Sequence, residues 1–385
     1  MLDRHTGPEA GTFSLLGGPL HRIGRWLGLV RGTDTVHLGL ALGVGMWLVV
    51  VGFAALQGFT DRLFTMSVVA VHARLLLVIP LFFLAESWVS PQMTGFVKTI
   101  VTRGIVPSGV TPALDAEVAR TGRWVDAWWP EAMCLLAASG PWVLGSGLPN
   151  VGTTGAADTS GAATAGVMYF GVGLTLFRFL LFRWAWKLGL WTWFLWRVSR
   201  LDLMLIPGHP DRAGGLGVLE AVHERFVPLV AALSVLACAS LAESIATGTL
   251  EVAAVYPHLA MTLLLDAALF LSPLLVFTDK LWAARAGGLG AYMALAARYV
   301  TAFEAKWTGG DPPARDKLLG TPDLQALADL GQAISVVGGM RWITVSRRLL
   351  TLMALAAIVP LLPLLAFEYT VLELVQRFFS KLIGS

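Results

Sequence analysis

Asp266 offers the clearest chemistry in this chain, because it is a carboxylate set inside the apolar string Leu263-Leu264-Leu265-Asp266-Ala267-Ala268-Leu269. A short acidic side chain there cannot reach past the string to water. An ionisable group within a bilayer costs about 2.5–3.5 kcal/mol on insertion scales, so it usually faces a partner or a water-filled path. Arg178 and Arg74 occupy other apolar strings, and His72 stands beside Arg74. Counted from the outer ends at 1.5 Å per residue, Asp266 lies roughly 13 Å deep, Arg178 roughly 18 Å and Arg74 roughly 9 Å. The spacing predicts that Asp266 pairs with one of these arginines beside His72. Such a pair either locks helices together or lines a polar path for a small, possibly anionic solute.

A second group of chemical side chains sits in the string His209-Pro-Asp-Arg-Ala-Gly-Gly-Leu-Gly217. A glycine loop ahead of a helix can turn backbone N–H groups toward a phosphate, which makes His209, Asp211, Arg212, Gly214 and Gly215 a candidate ligand site. The same residues also suit a turn that reverses the chain between two helices, and both readings stay open. No Gly-Lys-Ser/Thr follows the glycines and no strand precedes them, so neither nucleotide fingerprint is present. His209, Asp211 and His223, with Asp202, are metal-ligand types without dedicated spacing, so neither a metal nor another cofactor is expected.

These residues need elements to hold them, and composition says what kind. Hydrophobic residues make up 56% of the 385 and charged residues 14%, against about a quarter charged in soluble domains, and mean hydropathy is +0.70. The reading is all-α: a polytopic transmembrane helix bundle of about seven spans with amphipathic cytoplasmic helices. Apolar stretches of the required length, roughly 20 residues, fall at 37–57, 68–88, 131–148, 166–186, 226–246, 257–278 and 347–367. They make 37–367 the membrane bundle. The third is the weakest, interrupted by Gly140, Pro141, Gly145 and Gly147.

Lys and Arg collect before the first stretch and in 89–130, 187–225 and 279–346, whereas the alternate loops hold only Arg62. That bias puts the N-terminus and those three segments, a helical cap, in the cytoplasm. Segment 1–36 reads as a cytoplasmic lead with an amphipathic helix over 14–30, and 368–385 as an amphipathic tail. Within the cap, Leu289, Met293, Ala296, Tyr299, Val300 and Phe303 recur at helical spacing, and Thr321-Pro322-Asp323 marks a second helix start. The loop 150–165 reads as flexible. Glu86, Glu131 and Glu243, near span ends, are expected to meet water. Spans one to three and five to seven share a layout that hints at a parallel duplication. Gly39 and Gly43 allow a close helix contact, within one chain or between copies, so a homo-oligomer is open.

The string Arg183 to Arg200, RWAWKLGLWTWFLWRVSR, interleaves tryptophan with basic residues. Tryptophan favours the headgroup region and basic residues meet anionic lipid there, so membrane lipids are the expected partners. The formal charge of only +3 argues against nucleic acid.

The HPDRAGGLG string, together with Leu318-Leu319-Gly320-Thr-Pro-Asp-Leu-Gln-Ala-Leu-Ala-Asp-Leu330 and the His72, Arg74 and Ala85-Glu86 pattern, resembles a group of uncharacterised multi-pass proteins of bacterial inner membranes. The resemblance implies a helical membrane fold and that location, and it carries no activity. Three functions remain. The first is a transporter or channel, on the strength of Asp266. The second is a scaffold or sensor whose cap binds lipid headgroups or a protein. The third is a lipid-modifying enzyme using His209, Asp211 and Arg212, for which no nucleophile stands out.

Overall fold

The computed structural model describes residues 13–58, 63–143, 168–308 and 322–367, and among them every regular element is helical. The expected loop at 150–165, the tail at 368–385, residues 1–12 and the first part of the second motif lie outside the described residues.

Among the described residues, ten helices longer than six residues follow in chain order. They are α1 (Gly18–Trp26), α2 (Val36–Leu56), α3 (Met66–Thr102), α4 (Thr111–Asp126), α5 (Trp129–Val143), α6 (Leu174–Ser199), α7 (Val218–Ala246), α8 (Val255–Trp307), α9 (Pro322–Gly338) and α10 (Arg347–Phe367). Five of them, α2, α3, α7, α8 and α10, are long and apolar enough to cross a membrane. They coincide with five of the seven stretches read from the sequence. The stretches at 131–148 and 166–186 fall on α5 and α6. Neither meets the same standard over its described residues, because α5 has only 15 residues and α6 carries Arg178, Arg183 and Lys187 within its first 14.

Local chemistry explains several features. Ser346 caps α10, accepting the Leu349 N–H at 3.1 Å, the usual role of serine at a helix start. In α8 the dipeptide Ser272-Pro273 interrupts the α-helical ladder, and Ser272–Phe277 tightens into a 3₁₀ turn before the helix resumes at Thr278. That turn lets α8 leave the bundle, and its last stretch runs out along α9 as a helical pair, which includes the amphipathic segment expected at 289–307. In α3 the turn Ala73–Val78 is widened to π geometry.

Gly39 and Gly43 are used within the chain. A Cβ at Gly43 would run into the carbonyl oxygen of Leu75, and one at Gly39 would come 2.7 Å from Phe83, so α2 packs directly on α3 only because both positions lack side chains. Helix α7 sits at the centre, packed on α3, α8 and α10. The buried core runs from Phe82 and Phe96 on α3 through Trp191 and Phe194 on α6 to Phe226 on α7 and Phe270 on α8.

The outer faces of the span helices stay apolar. Leu48 on α2, Met261, Leu264 and Leu265 on α8, and Leu355 and Leu362 on α10 are all about half exposed or more. Contiguous apolar surface of that extent is solvated by lipid tails rather than water, and the chain is a helical membrane protein.

Candidate functional site

Asp266 lies on the face of α8 that meets α7 and is 4% exposed. Its Oδ2 accepts a hydrogen bond from the Ser234 hydroxyl of α7 at 3.3 Å, while Oδ1 has no hydrogen-bond partner among the described residues. Two apolar grooves flank it. One, of about 260 Å³, runs between α8 and α10, and the other, of about 290 Å³, between α8 and α6, and Asp266 lines both.

The arginines expected beside it are elsewhere. Arg74, in the π turn of α3, donates to the Ser240 hydroxyl at 3.2 Å. Arg178 is half-buried on α6 and makes no ion pair with Asp266. His72 is held on both ring nitrogens: Nδ1 accepts from the Trp47 indole at 2.8 Å, so Nε2 must carry the proton it donates to the Leu63 carbonyl at 2.6 Å. The Phe64 ring stacks on its face. The structure therefore separates the residues that the sequence reading grouped. Asp266 is paired with a hydroxyl, His72 ties α2 to the start of α3 through both ring nitrogens, and Arg74 reaches α7.

The HPDRAGG loop is knotted on itself. Asp211 Oδ1 accepts the N–H groups of Ala213 at 2.8 Å and Gly215 at 3.1 Å, and Oδ2 accepts that of Gly217 at 2.8 Å. Burial pushes this carboxyl up, but the three amides and His209 outweigh it and hold it below its ordinary value. His209 Nδ1 lies 2.8 Å from Asp211 Oδ1. Gly214 (φ +64°), Gly215 (φ +97°) and Arg212 (φ +54°) adopt the left-handed backbone this knot needs. The glycines are buried, against Met340 and Ile105. Arg341 closes the loop from outside, its backbone N–H donating to the Arg212 carbonyl at 2.7 Å and its guanidinium to Glu220 at 2.5 Å. The amides that would cradle a phosphate are thus spent on Asp211, and the exposed side chains of the loop are those of Pro210 and Arg212. This geometry is that of a turn.

A buried ion cluster occupies the centre of the other half. The Arg183 guanidinium of α6 donates to both oxygens of Glu86 on α3, at 2.9 and 3.1 Å, and through Nε to Glu131 of α5 at 2.8 Å. Lys187, one turn on, donates to Glu86 at 2.5 Å. Two carboxylates and two cations balance, which is the condition under which such a set persists away from water. Glu86 is 4% exposed, so the expectation that it meets water is corrected: three helices close over it.

The segment from Phe13 into α1 lies across this cluster as a strap. The Leu20 N–H donates to Glu131 at 2.8 Å, the Thr94 hydroxyl of α3 donates to the Phe13 carbonyl at 2.5 Å, and the Phe13 ring stacks on Phe194 of α6. His21 is buried over the cluster. Burial lowers its pKa from the ordinary 6.5, and the charges of Lys187, Arg25 and Arg183 lower it further against the opposing pull of Glu86. Sequence reasoning missed this assembly. The available signal was the four-residue spacing of Arg183 and Lys187, which puts both on one face of a helix.

Beside the cluster, Trp124, Trp129 and Trp186 of α4, α5 and α6 form a triad with centroids 5.5 to 6.1 Å apart, Trp129 edge-on to the other two and Trp124 tilted against Trp186. Among the described residues no group of three or more His, Cys, Asp or Glu side chains is placed to hold a metal ion. No family model, curated protein or solved structure matches the chain.

Proposed function

We propose that this chain is a membrane carrier in which Asp266 is the working carboxyl. The proposed bundle has seven spans, with α5 and α6 added to the five apolar helices, an N-terminus on the cytoplasmic side and a bacterial inner membrane as its location. The observation that carries the reading is Asp266 itself. It is buried near mid-span with one oxygen unmatched by any donor among the described residues, and such a group is costly to keep in a bilayer unless it is used. Arg74 and Arg178 do not join it, so an anionic solute finds no cationic seat at this carboxyl. A proton does find a counter-charge.

The test is flux. In proteoliposomes given a pH gradient and a potassium–valinomycin potential, proton entry is followed with an entrapped pH-sensitive dye. The wild type is expected to exceed empty vesicles, and Asp266→Asn to lower the excess at least tenfold. Undiminished flux in Asp266→Asn overturns the reading.

A second reading, a scaffold that binds lipid headgroups, is favoured by the partly exposed Trp124, Trp129 and Trp186 triad, since tryptophan faces engage headgroups. Lipid co-purification by native mass spectrometry, with Trp186→Ala as the comparison, tests it: an unchanged lipid profile removes it.

A further inference from the structure

The grooves beside Asp266 contain almost nothing else polar. Val230, Phe270, Met353 and Ala357 help wall the one on the α10 side, and Leu181, Leu233 and Leu269 the one on the α6 side, where the further polar groups among the described residues are the Thr262 hydroxyl and the Trp184 indole. Both open sideways on the apolar face, because their rims at Leu265, Leu350 and Ile358 are about half exposed. Asp266 lies about 16 Å along α8 from its start at Val255, at 1.5 Å per residue. That is near the middle of a hydrocarbon core of about 30 Å, too deep for a lipid headgroup.

Each alternative occupant meets a specific objection. A hydrated metal ion would find Asp266 and Ser234 and too few further oxygens to replace its shell. An anionic amphiphile would meet a like charge, and a neutral one would gain only the burial open to any lipid tail. A species with an apolar body and one positive charge gains both terms. The body fills a groove, and the charge meets a carboxylate oxygen in surroundings where Coulomb attraction is weakly screened.

We infer that the α7–α8 seam binds amphiphilic cations that enter laterally from the bilayer, with the positive centre against Asp266 and the apolar body in one of the flanking grooves. This rests on Asp266 being a working site and does not require that the bound species crosses the membrane.

The probe is a flat, permanently cationic styrylpyridinium dye whose emission rises in apolar surroundings, titrated into the full chain in nanodiscs, with its neutral styrylpyridine parent as control. Saturable binding of the dye, at least tenfold weaker in Asp266→Asn and at least tenfold weaker for the neutral parent, is the expected result. Ala354→Trp and Ala237→Trp fill the α10-side and α6-side grooves without touching the carboxyl. One of them is expected to block the dye, and they carry the test if Asp266→Asn does not fold. Equal binding by wild type and Asp266→Asn, equal binding of dye and parent, or no effect of either tryptophan overturns the inference. Saturable binding without proton or dye flux in proteoliposomes leaves the site standing and removes the carrier reading. Flux without saturable dye binding does the reverse.

Discussion

Glu86 accepts hydrogen bonds from two cations at once, Arg183 and Lys187, so removing its charge leaves both facing Glu131 alone. Breaking one member of a buried ion set costs about 3–5 kcal/mol, and Glu86→Gln is expected to lower thermal stability in detergent by that order. Replacing all four members, Glu86, Glu131, Arg183 and Lys187, together with apolar residues is expected to cost far less, and equal losses would show that the charges act independently. Asp211 sets a different dependence. Its folded value is depressed, so its contribution is complete above the ordinary aspartate value of 3.8 and fades as pH falls through the lower folded one. Asp211→Ala strands three buried amides, at about 1–3 kcal/mol, and is expected to flatten the acid limb of a stability–pH curve below about pH 4; an unchanged limb refutes it. Single residues were legible where composition isolated them. Asp266 stood out as one charge in an apolar string, whereas Ser234, its partner, is one small polar residue among many. Glu86 and Arg183 lie 97 positions apart, and Arg183 is followed by Trp184 and Trp186, which read equally well as an interface anchor.

At the scale of the element, the strap from Phe13 through α1 depends on Gly18. Its φ of +86° is left-handed, and a Cβ there would collide with the Glu131 carboxylate that holds Leu20. Gly18→Ala is expected to release the strap and raise its rate of proteolysis several-fold, with α3 to α10 intact. His21 makes docking respond to pH. Because burial and the neighbouring cations lower its pKa when docked, the released strap binds the proton more readily, so docking is complete above the ordinary 6.5 and weakens as pH falls below it. Hydrogen exchange at the Leu20 amide between pH 7.5 and 5.5, corrected for intrinsic rates, reads this. Protection is expected to fall in the wild type and to stay level in His21→Gln, and a level wild-type profile contradicts it. The helix over 14–30 was legible from its spacing, but its docking was not, since the contacts come from α3, α5 and α6. The bend in α8 was legible because Ser272-Pro273 has only one local consequence.

Across the whole molecule, the five long apolar helices follow directly from hydropathy, while α5 and α6 blur because ion-cluster residues dilute their apolar character. Everything proposed for Asp266 needs the α8 face that carries Leu264 to lie in hydrocarbon. The direct measurement replaces Cys134 and Cys238 with alanine and attaches a nitroxide at Leu264, 67% exposed on α8, or at Met204, 61% exposed on the segment between α6 and the HPDRAGG loop. In nanodiscs, the label at 264 is expected to collide readily with dissolved oxygen and scarcely with a water-soluble nickel chelate, and the label at 204 to show the opposite. Strong nickel broadening at 264 would place that face in water and contradict the account.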